Sequence, residues 1–445
     1  MPVSVGFISL GCSKNLVDSQ VIAGYLKAGE IALAPSPETA DVILVNTCAF
    51  IEAAREEAAE AILSACAHKA NGNCRAVVVA GCMVQRYRER LAKAFPDVDA
   101  FLGIDELGRV SEIVRRVAEG ARCGVVAASG EAVKLYNPKY PTLLFTGGPF
   151  SYLKIGDGCN HRCAYCAIPM IRGRFRSRKM EDILAEAAGM VSAGVKELNL
   201  ISQDSMMYGA DHSGKPQIAE LMRRIDTLDG EFRFRVLYGY PAGVTDEVLD
   251  VLNTAQHVCK YLDLPIQHSH PAVLKAMNRA AAVKATQGLA VRLRQAVPGI
   301  VLRTTCLVGF PGETEEHFDH LLASVEESKF DHLGVFAYSP EEGTPAFDLE
   351  APDPEIAEER CQRLMALQKK IVFERAKALT GMRDMALLLQ HHASGKWQAR
   401  LPRQAPDVDG ETWIKGVPGG AKVGDFIPVT ITGGKGYDLS AKAEL

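Results

Sequence analysis

Residues 151–166 read SYLKIGDGCNHRCAYC. An apolar run, 151–155, passes through two glycines into three cysteines, Cys159, Cys163 and Cys166, in the spacing C-x3-C-x2-C. A short apolar run bounded by glycine reads as a strand entering a loop. The same rhythm continues downstream. Candidate strands cover 151–155, 195–201, 232–238, 261–264, 300–308 and 333–338, and helical stretches such as 180–193, 218–228, 246–253 and 314–328 lie between them. Six βα units predict a partial (βα)6 barrel, in which chemistry collects at the C-terminal ends of the strands. The three cysteines sit at that end of the first strand.

Toward the N-terminus, apolar runs at 3–9, 42–46 and 76–80 are followed by helical stretches at 16–28, 51–67 and 84–94, with a further helix at 106–118. This alternation predicts a parallel α/β sheet. The stretch 122–148 is irregular, carries Pro138, Pro141, Gly147 and Gly148, and reads as a connector. Toward the C-terminus a long helix, about 354–379, stops before Gly381, a residue suited to a C-cap. Short strands at 385–389, 397–401, 412–415 and 426–431 then predict a small antiparallel β-barrel. The expected division is 1–125, a connector 126–148, 149–378 and 379–445, all of class α/β apart from the last.

The 445 residues carry 54 Asp and Glu against 50 Lys and Arg, a net charge of −4. A chain that grips nucleic acid along its whole surface is usually basic, so any such contact is expected to be local. The N-terminus lacks a basic and apolar leader pattern, and no apolar run is long enough for a membrane span, so a cytoplasmic location is expected. Twelve cysteines in such a chain point to metal ligands or buried small side chains rather than disulfides.

Cysteine thiolates are the usual ligands of iron–sulfur clusters. Three thiolates on one loop hold three irons of a cubane and leave the fourth open to chelate another molecule, by the logic of an open catalytic metal site. A structural zinc loop borrowing His161 is the alternative. A second set is less obvious. Cys12, Cys48 and Cys82 each stand just beyond an N-terminal strand, in SLGCSKN, VNTCAF and AGCMVQ. In a parallel sheet these thiols emerge at one edge, on strands about 4.8 Å apart, within the span of one cubane. Each also precedes a helix, whose N-terminus favours a thiolate. Of the other cysteines, Cys259 and Cys306 read as core, and Cys66, His68 and Cys74 have a nondescript spacing.

The cysteine loop after the first strand of a βα barrel resembles the radical S-adenosylmethionine (SAM) superfamily. With the second triad, and with LGCSKNLVDSQ, VNTCAFIEAAREEA and AGCMVQRY around it, the chain resembles the radical SAM methylthiotransferases from end to end, its last barrel being TRAM-like. The resemblance implies two [4Fe-4S] clusters, one on Cys159, Cys163 and Cys166 and an auxiliary one on Cys12, Cys48 and Cys82. It implies two SAM molecules, one methylating a sulfur and one yielding a 5′-deoxyadenosyl radical. It also implies a low-potential electron donor such as a flavodoxin or ferredoxin. Tyr165 matches the position whose backbone meets adenine, a buried core tyrosine being an equally simple reading. Gln203 and Arg303 are further candidate SAM contacts.

The family has two main branches, one acting on adenosine in transfer RNA and one on an aspartate of ribosomal small-subunit protein twelve. LISQDSMMYGAD with Ser202, Gln203 and Asp204, Gln267 and His268 in LDLPIQHSHPAVLKAMNR, YSPEEGTPAF and APDVDG resemble the ribosomal-protein branch. Residues 380–445 hold eight Lys or Arg and seven Asp or Glu, whereas a barrel that clamps phosphates should be basic. Glu341 and Glu342 would suit a basic protein partner, or simply form a solvated turn. Arg172, Arg174, Arg176 and Arg178 in RGRFRSRK read as a local positive strip for a carboxylate or phosphate, or as a basic edge strand. Thr314 in GFPGETEEHF reads as a helix N-cap. The rival classes are the transfer-RNA enzyme and a non-enzymatic RNA-binding module with structural zinc.

Overall fold

The computed structural model describes residues 3–72, 74–126, 134–135, 144–145 and 148–444. Most of the expected connector 126–148 lies outside the described residues. The N-terminal sheet has six parallel strands, β1 (Ser4–Ser9), β2 (Ala32–Leu33), β3 (Val42–Thr47), β4 (Ala76–Gly81), β5 (Ala100–Leu102) and β6 (Gly124–Val126), ordered β2-β1-β3-β4-β5-β6. β3 and β4 are buried along their whole length, as continuous apolar runs covered by helices on both faces require. The strands β2, β5 and β6 span two or three residues each, too short to show a period in sequence. The expected helix at 84–94 is two pieces, Cys82–Tyr87 and Glu89–Ala94, parted by Arg88 at φ 46°.

The central sheet is wholly parallel. Its strands are β7 (Phe150–Lys154), then past the short antiparallel pair β8 (Gly156–Asp157) and β9 (Arg176–Ser177), β10 (Glu197–Ile201), β11 (Arg233–Val236), β12 (Val258–Asp263), β13 (Val301–Val308) and β14 (His332–Ala337), in the order β14-β13-β12-β11-β10-β7. It is the expected six-stranded partial barrel. The C-terminal strands β15 (Arg383–His391), β16 (Trp397–Arg400), β17 (Thr412–Lys415), β18 (Phe426–Lys435) and β19 (Asp438–Ala443) close into a ring. Four contacts of that ring are antiparallel and β17–β19 is parallel. A closed ring of five strands cannot alternate direction all round, so one parallel seam is unavoidable.

The three units are welded by buried groups. Helix α1 (Ser13–Ala28) is buried around nearly its whole circumference. One side packs on the N-terminal sheet, and Val17 and Val21, one turn apart, pack with Tyr152, Ile201, Leu237, Tyr261 and Val301 on the central sheet. The segment APDVDG threads into the same cluster. Asp407 accepts from the Tyr152 hydroxyl at 2.6 Å, and Asp409 accepts from Tyr261 at 2.7 Å and from Arg303 at 2.9 Å.

At the N-terminal end of β10, fully buried Glu197 receives Arg233 at 2.6 Å and Arg235 at 3.2 Å from β11, and Arg400 at 2.8 Å from β16. Burial alone would raise the Glu197 carboxyl, but Arg235, Arg233 and Arg400 hold it well below the usual carboxylate range. Glu197→Gln removes the anion these three cations share and is expected to destabilise the fold by about 3–5 kcal/mol, read as a lower denaturant midpoint. A carboxyl depressed in the folded state adds stability above its unfolded value of about 4.3 and loses it as pH falls through the folded value. The wild type should therefore lose more stability than the variant on acidification below about pH 4.

Candidate active site: two cysteine triads across one short helix

Cys12, Cys48 and Cys82 do emerge together. β1, β3 and β4 pair in register through Ser9, Asn46 and Ala80, so the residues that follow leave the sheet at one edge. Each of the three thiols lies within electrostatic reach of the other two. Cys12 is the N-cap of α1, and Cys82 opens α3 (Cys82–Tyr87). Cys48 is separated from α2 (Glu52–Asn71) by three residues, so a helix start lies directly behind only two of the thiols. Gly81, at φ 97°, is the tight point: a Cβ there would stand 2.8 Å from the Thr47 carbonyl oxygen.

Cys159, Cys163 and Cys166 occupy the loop beyond β7 and β8. They line a cavity of about 640 Å³ together with Arg162, Met170, Arg174 and Thr344, a size suited to a nucleoside-bearing cofactor. The loop is pinned by Gly158, at φ 82°, where a Cβ would meet the Arg174 carbonyl oxygen at 2.2 Å. His161, the fourth ligand that the zinc alternative would need, is engaged elsewhere. Its Nε2 lies 2.7 Å from Asp204 and its ring stacks on Tyr240 at 4.0 Å.

Burial pushes the thiols up, Cys82, Cys159 and Cys166 each to about 12, and Cys48 also upward. At Cys82, which opens α3, desolvation outweighs the helix-end effect expected from the sequence. No cysteine is in a disulfide, and no three His, Cys, Asp or Glu side chains among the described residues converge on a single-ion site. A cubane asks for a different arrangement, because its ligand sulfurs bind separate irons. Three thiols per site, electrostatically coupled and ranging from buried to exposed, fit that group.

The two triads flank the short helix Ile168–Arg172. Cys166 stands just before it and Arg172 ends it. Arg172, 2% exposed, donates to Cys82 Sγ at 3.2 Å and lies 2.7 Å from Asp18 of α1 and 3.1 Å from Asp157. Lys154 completes the group, 2.5 Å from Asp18 and 3.1 Å from Asp157. Burial would raise Asp157, yet Lys154 and Arg172 hold it well below the carboxylate range.

This geometry corrects two expectations. The arginines of RGRFRSRK do not form a strip: Arg172 and Arg178 are buried, Arg178 pairing with Glu186 at 2.6 Å, and only Arg174 is exposed. Spacing by two would line one face of a continuous strand, but Arg172 ends a helix and only Arg176 of the four lies on a strand. Glu341 and Glu342 do not wait for a basic partner. Glu341, 2% exposed, is held by Arg55 of α2 and by Arg86 at 2.7 Å, and Glu342 by Arg90 at 2.9 Å. They latch the loop after β14 onto the N-terminal unit.

Of the other named residues, Gln203 donates to Asp157 Oδ1 at 2.8 Å, while its own Oε1 is buried without a hydrogen-bond partner. The Tyr165 ring packs edge-on against Phe310. Arg303 is occupied by Asp409, with Asp263 3.7 Å away. Thr314 caps its helix as expected, in a capping box closed by His317. Sequence reasoning missed Asp18, Lys154, Asp157, Lys14 and Arg279. Arg279, 5% exposed, lies 3.6 Å from Cys163 Sγ and over the Tyr240 ring at 4.4 Å. Burial pushes Lys14 down to about 7 against the pull of Cys12 and Asp263. No sequence pattern marks these five: Lys154 and Asp157 are three residues apart, but their other partners, Asp18 and Arg172, and those of Lys14 and Arg279 are reached only through the fold.

Known proteins match in the same order as these units. Residues 4–103 match the family described as "Uncharacterized protein family UPF0004", 153–325 the radical SAM superfamily and 383–443 the TRAM domain. A protein of Trichlorobacter lovleyi named ribosomal protein uS12 methylthiotransferase RimO is 42% identical, over 98% of this chain and 97% of its own. Its namesake from Pelotomaculum thermopropionicum is 41% identical over the full length of both. Among solved structures, the radical SAM methyltransferase TsrM of Kitasatospora setae shares the fold, with a TM-score of 0.57 at 15% identity over 86% of this chain and 79% of that one. The chain belongs to the radical SAM methylthiotransferase family and, within it, to the RimO group.

Proposed function

We propose that this enzyme replaces one β-hydrogen of an aspartate in ribosomal protein uS12 with a methylthio group. The observation that carries the reading is the pair of cysteine triads on either side of the helix Ile168–Arg172. The relatives' name supplies the protein substrate. The target C–H is too weakly acidic for a side-chain base at neutral pH, which makes a radical route necessary. Bound to the two triads, a pair of [4Fe-4S] clusters with two SAM molecules supplies that route: a 5′-deoxyadenosyl radical from one SAM, and a sulfur methylated by the other.

The chain's own residues position these groups. Cys159, Cys163 and Cys166 hold one cluster beside the cavity, and Cys12, Cys48 and Cys82 hold the second. Buried Gln203 Oε1 is an acceptor for an ammonium group such as that of SAM. Arg279, beside Cys163, supplies a buried positive charge against the thiolates and the SAM carboxylate. Arg172 donates to Cys82 and keeps the second triad oriented toward the first. The C-terminal barrel supports a protein target over an RNA one. Arg400 is consumed by Glu197, and Arg403 has Asp384 at 3.7 Å, which removes two of its few cations from phosphate binding.

Anaerobically purified wild type should carry roughly eight irons and eight sulfides, and a Cys12→Ala, Cys48→Ala, Cys82→Ala variant about four of each. An unchanged iron count would remove the second site. Mass spectrometry of uS12 and of bulk transfer RNA from a deletion strain separates the branches. The expected outcome is loss of one methylthio group from a uS12 aspartate with transfer RNA unaltered, and the reverse pattern would sink the ribosomal-protein reading.

A further inference from the structure

Four of the buried or half-buried cations around the two triads already have carboxylate partners. Arg172 and Lys154 share Asp18 and Asp157, Arg178 has Glu186, and Arg303 has Asp409. Lys14 does not. It lies in the first turn of α1, two residues beyond Cys12, and is 7% exposed. Among the described residues its ammonium makes no hydrogen bond and no ion pair, and its contact is the face of Tyr238, 2.7 Å from the ring centroid. Asp263 is within electrostatic reach but not in ion-pair contact, a ring face compensates a buried ammonium only in part, and a desolvated charge with no counter-ion in contact is costly. Such a group marks the place of an anion that arrives from outside.

The position of Tyr238 indicates which anion. The strap Tyr238-Gly239-Tyr240 follows the C-terminal end of β11 and spans the gap between the triads. At one end the Tyr238 hydroxyl lies 3.2 Å from Ser13 Oγ, next to Cys12 and Lys14. At the other, Tyr240 stacks on His161, between Cys159 and Cys163. A ligand held at Lys14 therefore lies beside one triad and within a three-residue strap of the other. The methylthio acceptor has to occupy that gap.

We propose that the Lys14 ammonium receives the carboxylate of the acidic side chain that the enzyme modifies. This rests on the aspartate reading above. An aspartate held by its carboxylate has its β-carbon one covalent bond from the anchored group. One contact thereby fixes the reacting carbon between the source of the radical and the source of sulfur, and rejects side chains without the negative charge. SAM also carries a carboxylate, so the assignment needs an experiment that tells the two apart.

Wild type, K14M and K14R are purified anaerobically with both clusters and given a peptide spanning the uS12 target aspartate, or its Asp→Asn twin. Wild type should prefer the aspartate peptide by on the order of 100-fold in kcat/KM, the scale of truncating one partner of a buried charge pair. K14M should lose that preference, with a raised KM for the aspartate peptide, and K14R should keep most of it. Iron and sulfide content and the dissociation constant for SAM should match the wild type in both variants. The proposal is overturned if K14M still discriminates between the peptides. It is equally overturned if K14M has lost half its iron, because Lys14 then serves the auxiliary cluster, or if K14M has lost SAM affinity, because the carboxylate is then that of SAM. A loaded wild type that modifies neither peptide overturns the aspartate reading itself, and this assignment with it.

Discussion

Asp18, Arg172, Asp157 and Lys154 form a buried quartet of two anions and two cations, each contacting both opposite charges. Asp18 belongs to α1 of the N-terminal unit and the other three to the radical SAM unit. Burying four charges is affordable only because they neutralise one another at hydrogen-bonding distance. The same geometry cannot be satisfied at another register, so the quartet sets where α1 lies against the central barrel. Arg172 also reaches Cys82, and Asp157 is joined to Cys159 through Gly158. The separation of the two cysteine triads is therefore set by charge pairing rather than by apolar contact alone.

The remaining charged residues follow the same pattern. Glu197 with Arg233, Arg235 and Arg400 fastens the C-terminal barrel at the N-terminal end of β10. Asp407 and Asp409 tie the segment between β16 and β17 to the inner tyrosines. Glu341 with Arg55 and Arg86 closes the side near the cysteine loop. Each joint joins units that are distant in sequence, and together they leave the C-terminal ends of β7, β10 and β11 for chemistry. Among the buried cations described, only Lys14 and Arg279 lack a carboxylate in ion-pair contact, and Arg279 still donates to the Pro265 carbonyl and lies beside Cys163; Lys14 acquires its meaning from that contrast.

Legibility in the sequence tracks the range of the interaction. Apolar runs announce strands such as Val42–Thr47 and Val301–Val308, whereas Ala32–Leu33, Gly124–Val126 and the unexpected fifth barrel strand Asp438–Ala443 are strands only because a neighbour pairs with them. The cysteine loop is legible because all three of its cysteines lie within eight residues. The second triad is legible at one remove, through the inference that parallel strands end at a common edge. The Arg172–Arg178 run was misleading because charge in sequence suggests solvent, while two of these arginines are buried against carboxylates contributed from elsewhere.

The sequence by itself determined the three-unit α/β architecture, both cysteine sets and the chemistry they imply, because periodicity and ligand spacing are local properties of the chain. Only the tertiary structure decided which cation is satisfied by which carboxylate, that Glu341 is a latch, that Arg303 is taken by Asp409, and that Lys14 makes no ion pair among the described residues. Those facts depend on pairs up to 286 residues apart, and a charge has no local signature that tells whether its partner will be another residue, solvent or a substrate.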